Sequence, residues 1–236
     1  MDTQKNELVR ILDNFSNRKI MTHLKRQQVP KSWPIHRKGT TYVVRADSNM
    51  ENGIPLLVVL RDILGVAQNR KEVKKAIQDK LILLNAKLAR DDKNCALLFD
   101  TLTLIPSKKS FRVGLSDKGK FTLNEIKESE SLKKIAKVVD KKTLKGKKVQ
   151  LNLSDGKNYL SNVKCNVGDS VVINLKDKKI EKCLELKEKS NAFVFAGKHS
   201  GEEGIIEKLK LERKMAKLKT KNGEVNVLIK QMMVVE

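Results

Sequence analysis

Apolar and polar positions follow three textures along the chain. Near the start Leu8, Ile11, Leu12 and Phe15 share one helical face and predict a short amphipathic helix. Between residues 54 and 100 the pattern predicts a small helical unit with a hairpin. Leu56, Val59, Leu60 and Ile63 repeat at helical spacing, Pro55 suits the first turn, and Gly65 suits the stop. Asn69 with Glu72 three residues later reads as a capping box for a second helix, whose Val73, Ala76 and Ile77 face inward. Leu81 to Leu84 then reads as a strand turning at Asn85 and Ala86 into Lys87 and Leu88.

From Thr101 onward the texture is of short alternating strands. Val149, Leu151 and Leu153 alternate before the Asp155-Gly156 turn, and Val171, Ile173 and Leu175 alternate before a turn at Lys176 to Lys179. Leu132, Ile135, Ala136 and Val139 instead carry a helical period amid strands. The last segment starts near Asn191, alternates at Phe193 and Phe195, and has a hairpin signal at Asn222-Gly223 before Val225, Val227 and Ile229. It predicts a small five-stranded barrel, and the β half as a whole has barrel or sandwich texture.

Charge narrows the function. Among 236 residues, 50 Lys and Arg face 28 Asp and Glu, a net charge of +22, which makes a polyanion the first partner to consider. The longest apolar stretch, Ile54 to Leu60, is far short of a membrane span, and Asp2, Glu7 and Asp13 replace the basic head of a secretion signal. Cys95, Cys165 and Cys183 are odd in number and widely spaced, which fits buried thiols in a reducing cytoplasm rather than a disulfide framework or a zinc site. His23, His36 and His199 have no metal-ligand spacing and no nucleophile nearby, so neither a catalytic constellation nor a metal site is expected. Gly197, Gly201 and Gly204 lack the ending of a phosphate-binding loop and suit a tight turn.

The cations cluster. From Asn14 to Ala46 there is no carboxylate, while Arg18, Lys19, Lys25, Arg26, Lys31, Arg37, Lys38 and Arg45 are basic. Such an arm repels itself, and Pro30 and Pro34 hold it extended around Trp33. It is expected to be disordered alone and to order on a phosphate-rich surface, with Trp33 packed on a sugar, a base or a protein neighbour. On the second helix Arg70 and Lys74, and Lys71 and Lys75, stack one turn apart as a cationic ridge. Aromatic content of 4% disfavours broad base stacking, so folded RNA read by shape and backbone is the expected partner.

"HLKRQQVPKSWPI" and "IPLLVVLRDILGVAQNRKEVKKAIQDKLILLNAKL" resemble the N-terminal signature and RNA-binding domain of the S-four-e family of small-subunit ribosomal proteins. "GLSDKGKFTLNEI" and "VGDSVVINLKDKKI" resemble its central β domain, and "FAGKHSGEEGII" its C-terminal KOW motif. The resemblance implies an α+β multi-domain chain: a basic arm over 1–53, a helical and hairpin RNA-binding domain over 54–100, a central β-barrel-like domain over 101–188 and an SH3-like KOW barrel over 189–236. It implies RNA contacts through Lys25, Arg26, Lys31, Trp33, Arg37, Lys38, Arg61, Arg70, Lys71, Lys74, Lys75, Lys87 and Arg90. The partners implied are small-subunit ribosomal RNA and neighbouring ribosomal proteins on the cytoplasmic ribosome, with no membrane, small-molecule substrate, cofactor, metal or catalysis. The alternatives are an RNA-modifying enzyme or assembly factor with the same RNA-binding domain, and a transcription factor docking its KOW barrel on RNA polymerase.

Four departures from the family pattern carry their own expectations. Ala86 stands where the hairpin turn normally has glycine, which predicts a strained or widened turn beside Lys87. Glu202 and Glu203 turn the KOW loop away from phosphate. The resemblance makes Leu132 to Val139 a strand, against its helical period, and the residues before Thr22 exceed the family pattern as an extension or an upstream start.

Overall fold

The computed structural model describes residues 23–145, 148–161, 163–210, 212–221 and 223–235; the helix expected around Leu8 to Phe15 lies outside them. Three five-stranded antiparallel sheets and two short two-stranded pairs account for nearly all regular structure. Helices are few.

The arm contributes β1 (Leu24–Lys25) paired with β2 (Tyr42–Val43), and β3 (Gly53–Pro55) pairs with β6 (Cys95–Leu97). Helix α1 begins over Leu56–Val58 and widens into a π-helical turn over Val59–Ile63. Its residues 56 to 60 are apolar all round because all of them are buried. The first amides of α1 find partners outside the helix: Leu56 and Leu57 donate to the carbonyls of Asn94 and Asp92 at 2.9 and 3.0 Å. Gly65, at φ +63°, ends it as expected. Helix α2 (Arg70–Gln78) starts in the expected Asn69 and Glu72 capping box and buries Val73 and Ile77.

The first sheet runs β5 (Lys87–Leu88), β4 (Ile82–Leu84), β7 (Thr101–Leu104), β8 (Lys109–Leu115), β9 (Phe121–Ile126). Ile82 pairs with Leu104. A boundary between residues 100 and 101 therefore cuts through a sheet, and the expected division there is corrected: the hairpin and the next three strands cover one core with α1 and α2. Pattern alone separates helical from strand texture; it carries no signal for which strands pair.

After the single-turn helix α3 (Glu128–Ser131), the second sheet runs β12 (Asn158–Ser161), β11 (Val149–Leu153), β10 (Lys133–Thr143), β13 (Ser170–Asn174), β14 (Lys179–Leu184). The helical period at 132–139 is overturned, since β10 is an eleven-residue strand. Its near half pairs with β13; past an irregularity between Val138 and Asp140 its far half pairs only with β11. The third sheet runs β18 (Gly223–Leu228), β17 (Met215–Thr220), β16 (Glu203–Lys210), β15 (Asn191–Val194), β19 (Met232–Val234). Thr220 pairs with Gly223, so the glycine of the Asn-Gly signal stands at the start of β18.

Side chains bind the three sheets to one another. Phe99 meets Phe193 edge to face at 5.3 Å between centroids, so the alternating Phe193 faces a neighbouring sheet. Lys137 donates to the carbonyls of Ile229 and Met232, the latter at 2.7 Å, with its Nζ 5.8 Å from the Phe195 ring centroid. Burial pulls its pKa down to about 8. Buried Lys134 forms ion pairs with Asp100 at 2.5 Å and Asp155 at 2.7 Å, joining the first sheet to the second. The glycine-rich loop belongs to this joinery: a Cβ on Gly201, at φ +98°, would stand 2.0 Å from the Ser116 carbonyl oxygen.

Candidate nucleic-acid interface

The described part of the arm is folded, which corrects the expectation of a disordered segment. Trp33 is 2% exposed inside the first core, and its Nε1 donates to the Gly53 carbonyl at 2.8 Å. Phe121 N–H donates to Ser32 O at 2.9 Å, fastening the same stretch to β9. Trp33 is therefore withdrawn as an RNA contact. An indole this large gains more from burial than from solvent, and its polar edge finds a backbone partner.

Arg26 also turns inward on its own segment. Its guanidinium donates to Thr40 O at 2.7 Å, His36 O at 2.7 Å and Thr40 Oγ1 at 2.9 Å. It shapes the loop that presents Arg37 and Lys38, both exposed. Arg61 faces Asp62 at 2.8 Å.

Arg70 departs from the expected ridge. Its Nε lies 2.6 Å from Asp92 Oδ2, and Asp92 is fully buried. Burial works against the Asp92 charge, but the hydrogen bond and field of Arg70, with help from Lys74, outweigh it and hold the carboxyl below its usual range. Arg70 ties α2 to the loop before β6. Neither it nor Arg61 is a free phosphate ligand.

Nine of the expected cations stay exposed, with no carboxylate within 4 Å among the described residues: Lys25, Lys31, Arg37, Lys38, Lys71, Lys74, Lys75, Lys87 and Arg90. A groove of about 560 Å³ between the β1–β2 pair and α2, lined by His23, Tyr42, Arg45, Arg70 and Lys93, links arm to helix. Tyr42 is 58% exposed, with its ring 5.7 Å from that of His23. This aromatic pair, open to solvent beside the cations, was overshadowed in the sequence by the chain's one tryptophan.

The hairpin turn keeps two residues, with Asn85 at φ +53° and Ala86 at φ +58°. Asn85 holds it by exchanging hydrogen bonds with Thr101, accepting at Oδ1 at 3.1 Å and donating its own N–H at 2.8 Å. Ala86 therefore carries left-handed strain, and Ala86→Gly is expected to stabilise the protein by about 0.5 to 1 kcal/mol. The check is a raised denaturant midpoint at unchanged m-value; an unmoved midpoint would mean the turn bears no strain.

Residues 20–48 match the RS4NT domain and residues 107–180 match Ribosomal family S4e. The small ribosomal subunit protein eS4 of Methanocella arvoryzae is 36% identical over 197 residues, covering 82% of this chain and 83% of its own. That of Methanococcus aeolicus is 34% identical over 225 residues, covering 89% and 91%. The chain belongs to the S4e family. Its fold is also that of the solved S4e protein from Thermoplasma acidophilum, with a TM-score of 0.67 at 22% identity over 78% of this chain and 95% of that one. Placed in the S4e family, the chain has its signature arm where the structure packs Trp33, and the family match at 107–180 spans β8 to the start of β14.

Among the described residues no three His, Cys, Asp or Glu side chains are grouped to hold a metal ion, and no helix is long and apolar enough to cross a membrane. Two of the thiols are muted. Burial, with Asp47 and Asp100, pushes Cys95 up to about 12, and burial with the adjacent Cys165 thiol raises Cys183.

Proposed function

We propose that this S4e protein is a structural constituent of the small ribosomal subunit, binding folded ribosomal RNA through phosphate and shape contacts. The observation that carries the reading is family membership across most of the chain, joined to nine exposed cations on the arm, α2 and the hairpin with no carboxylate partner among the described residues. Its partners are small-subunit ribosomal RNA and adjacent ribosomal proteins, and its place is the cytoplasmic ribosome.

In this reading the RNA-binding unit runs from the arm through β9, because these elements share one core. The sheet of β10 to β14 forms a central β unit, and that of β15 to β19 a KOW unit. Lys71, Lys74 and Lys75 bracket phosphates from one face of a helix, Lys87 and Arg90 add contacts from the hairpin, and Tyr42 with His23 offers a ring to a base or sugar. Arg26, Arg61 and Arg70 act on RNA indirectly, by shaping the surface that bears the free cations.

The test is sedimentation of a cell extract on a sucrose gradient, before and after a high-salt wash. The protein is expected to stay with the small subunit through the wash. Sedimentation as free protein would overturn the reading and bring forward the modifying-enzyme or assembly-factor alternative, which methyl transfer or uridine isomerisation by purified protein would then reveal.

A further inference from the structure

The distal wing of the second sheet gathers lysines with almost no acids, as the arm does. Residues 141 to 168 hold seven lysines and a single carboxylate, Asp155. Its side chain is 4% exposed and lies 2.7 Å from Lys134 Nζ and 3.9 Å from Lys157 Nζ. The one exposed acid on this hairpin is Asp140, at its root, before the wing's lysines begin.

On the other exposed sheet surfaces, lysines meet acids across strands. Lys109 faces Glu125 at 3.5 Å, Lys133 faces Glu181 at 3.1 Å, and Lys217 lies 3.2 Å from Glu207 and 2.6 Å from Glu224. Past Val139, β10 leaves β13 and pairs with β11 alone, Lys142 opposite Gln150 and Thr143 opposite Val149. Lys142, Lys145 and Lys148 are exposed there, with no carboxylate within 4 Å among the described residues. The turn that brings them together is closed by Leu144 N–H donating to Lys148 O at 2.8 Å. Lys141 is tied down, donating to Cys165 O, and Lys157 lies 3.9 Å from Asp155 Oδ2.

Like charges gathered on one hairpin destabilise it, and among the described residues no carboxylate stands within 4 Å of these three lysines to offset them. Leu160, 62% exposed and opposite Gln150, adds an apolar contact on the same face as Lys142. We infer that the β10–β11 hairpin, through Lys142, Lys145 and Lys148, is a second phosphate-binding surface that takes an RNA backbone segment separate from the one held by α2. The inference rests on the reading that this chain binds ribosomal RNA. A chain of phosphates suits an edge on which Lys142, Lys145 and Lys148 are exposed together without a carboxylate within 4 Å among the described residues.

The experiment measures binding of the full chain to in vitro transcribed small-subunit ribosomal RNA from 50 to 200 mM salt. It compares wild type, K142Q/K145Q/K148Q, K142R/K145R/K148R and K71Q/K74Q/K75Q. Each lost phosphate contact lowers the logarithmic salt slope by roughly 0.7 to 0.9, so three shrink the affinity ratio between these salts by roughly 20- to 40-fold. The hairpin Gln variant is expected to show that loss, the Arg variant to keep the wild-type slope, and the hairpin and α2 losses to add, as independent sites do. A wild-type slope in the hairpin Gln variant, with the α2 variant impaired, overturns the inference alone and leaves the edge to a protein neighbour or to solvent. Equal loss in the Arg variant also overturns it, because the charge is retained there. Salt-independent or absent binding by wild type would overturn the RNA-binding reading itself, and this inference with it.

Discussion

Trp33→Ala is expected to destabilise the protein by about 3 to 5 kcal/mol and to release the arm. The indole fills the first core beside Ile54 and Phe121, and its N–H satisfies the Gly53 carbonyl, so alanine leaves a cavity and an unpaired acceptor together. The measurement is a denaturant midpoint combined with limited trypsin digestion, since Lys25, Lys31, Arg37 and Lys38 become cleavable once the arm detaches. Trp33→Phe keeps most of the volume and loses the hydrogen bond, so it should fall between wild type and alanine. A wild-type midpoint and an uncut arm in the alanine variant would show that the indole does not anchor this segment.

Lys134→Met should be comparably severe, about 3 to 5 kcal/mol, because it strands two buried carboxylates. Lys134, Asp100 and Asp155 are each less than 5% exposed at their side chains. Asp100 also accepts from Leu97 N–H at 2.8 Å and Asp155 from Lys157 N–H at 3.0 Å, so both are fixed in place and cannot swing to water. The triple variant K134M/D100N/D155N removes all the charges at once and should regain much of the loss. A triple variant as unstable as K134M would mean that volume, not uncompensated charge, dominates the site.

The pH dependence of this cluster has a definite sign. Burial opposes the charge on Lys134, but the two carboxylates outweigh it, and the pKa is raised above its ordinary 10.5. A raised folded pKa gives a contribution fully present below about pH 10.5, lost only as pH climbs through the folded value. The stability gap between wild type and K134M should therefore stay level from neutral pH to about pH 10 and close above it.

The same lysine explains one limit of reading the sequence. Along β10 the positions turned into the core are Lys134, Ala136 and Val138, while Lys137 is buried on the opposite face by the third sheet and Val139 is 55% exposed. Two buried lysines and an exposed valine invert the alternation that marks a strand, leaving a helical period by coincidence. Only the family resemblance indicated extended structure there. The capping box at Asn69 and Glu72, by contrast, was legible because every group in it lies within four residues. The Arg70 partner is 22 residues away, and the Trp33 partner is 20, so both roles were hidden. The sequence rightly marked tryptophan as costly to leave in water, but could not say whether RNA or the protein's own core would cover it.

The hydrogen bond from Phe121 to Ser32 sets a schedule for synthesis. The arm leaves the translating ribosome first, yet its fastening on β9 is made by residues about 90 positions later, which at roughly 5 to 20 residues per second is on the order of 5 to 20 s. For that interval a nascent segment bearing Lys25, Lys31, Arg37 and Lys38 has neither carboxylates nor a completed core to restrain it, amid the RNA of the machine that is making it. A chaperone that covers the arm until β9 has emerged would shorten the window in which wrong RNA can be captured.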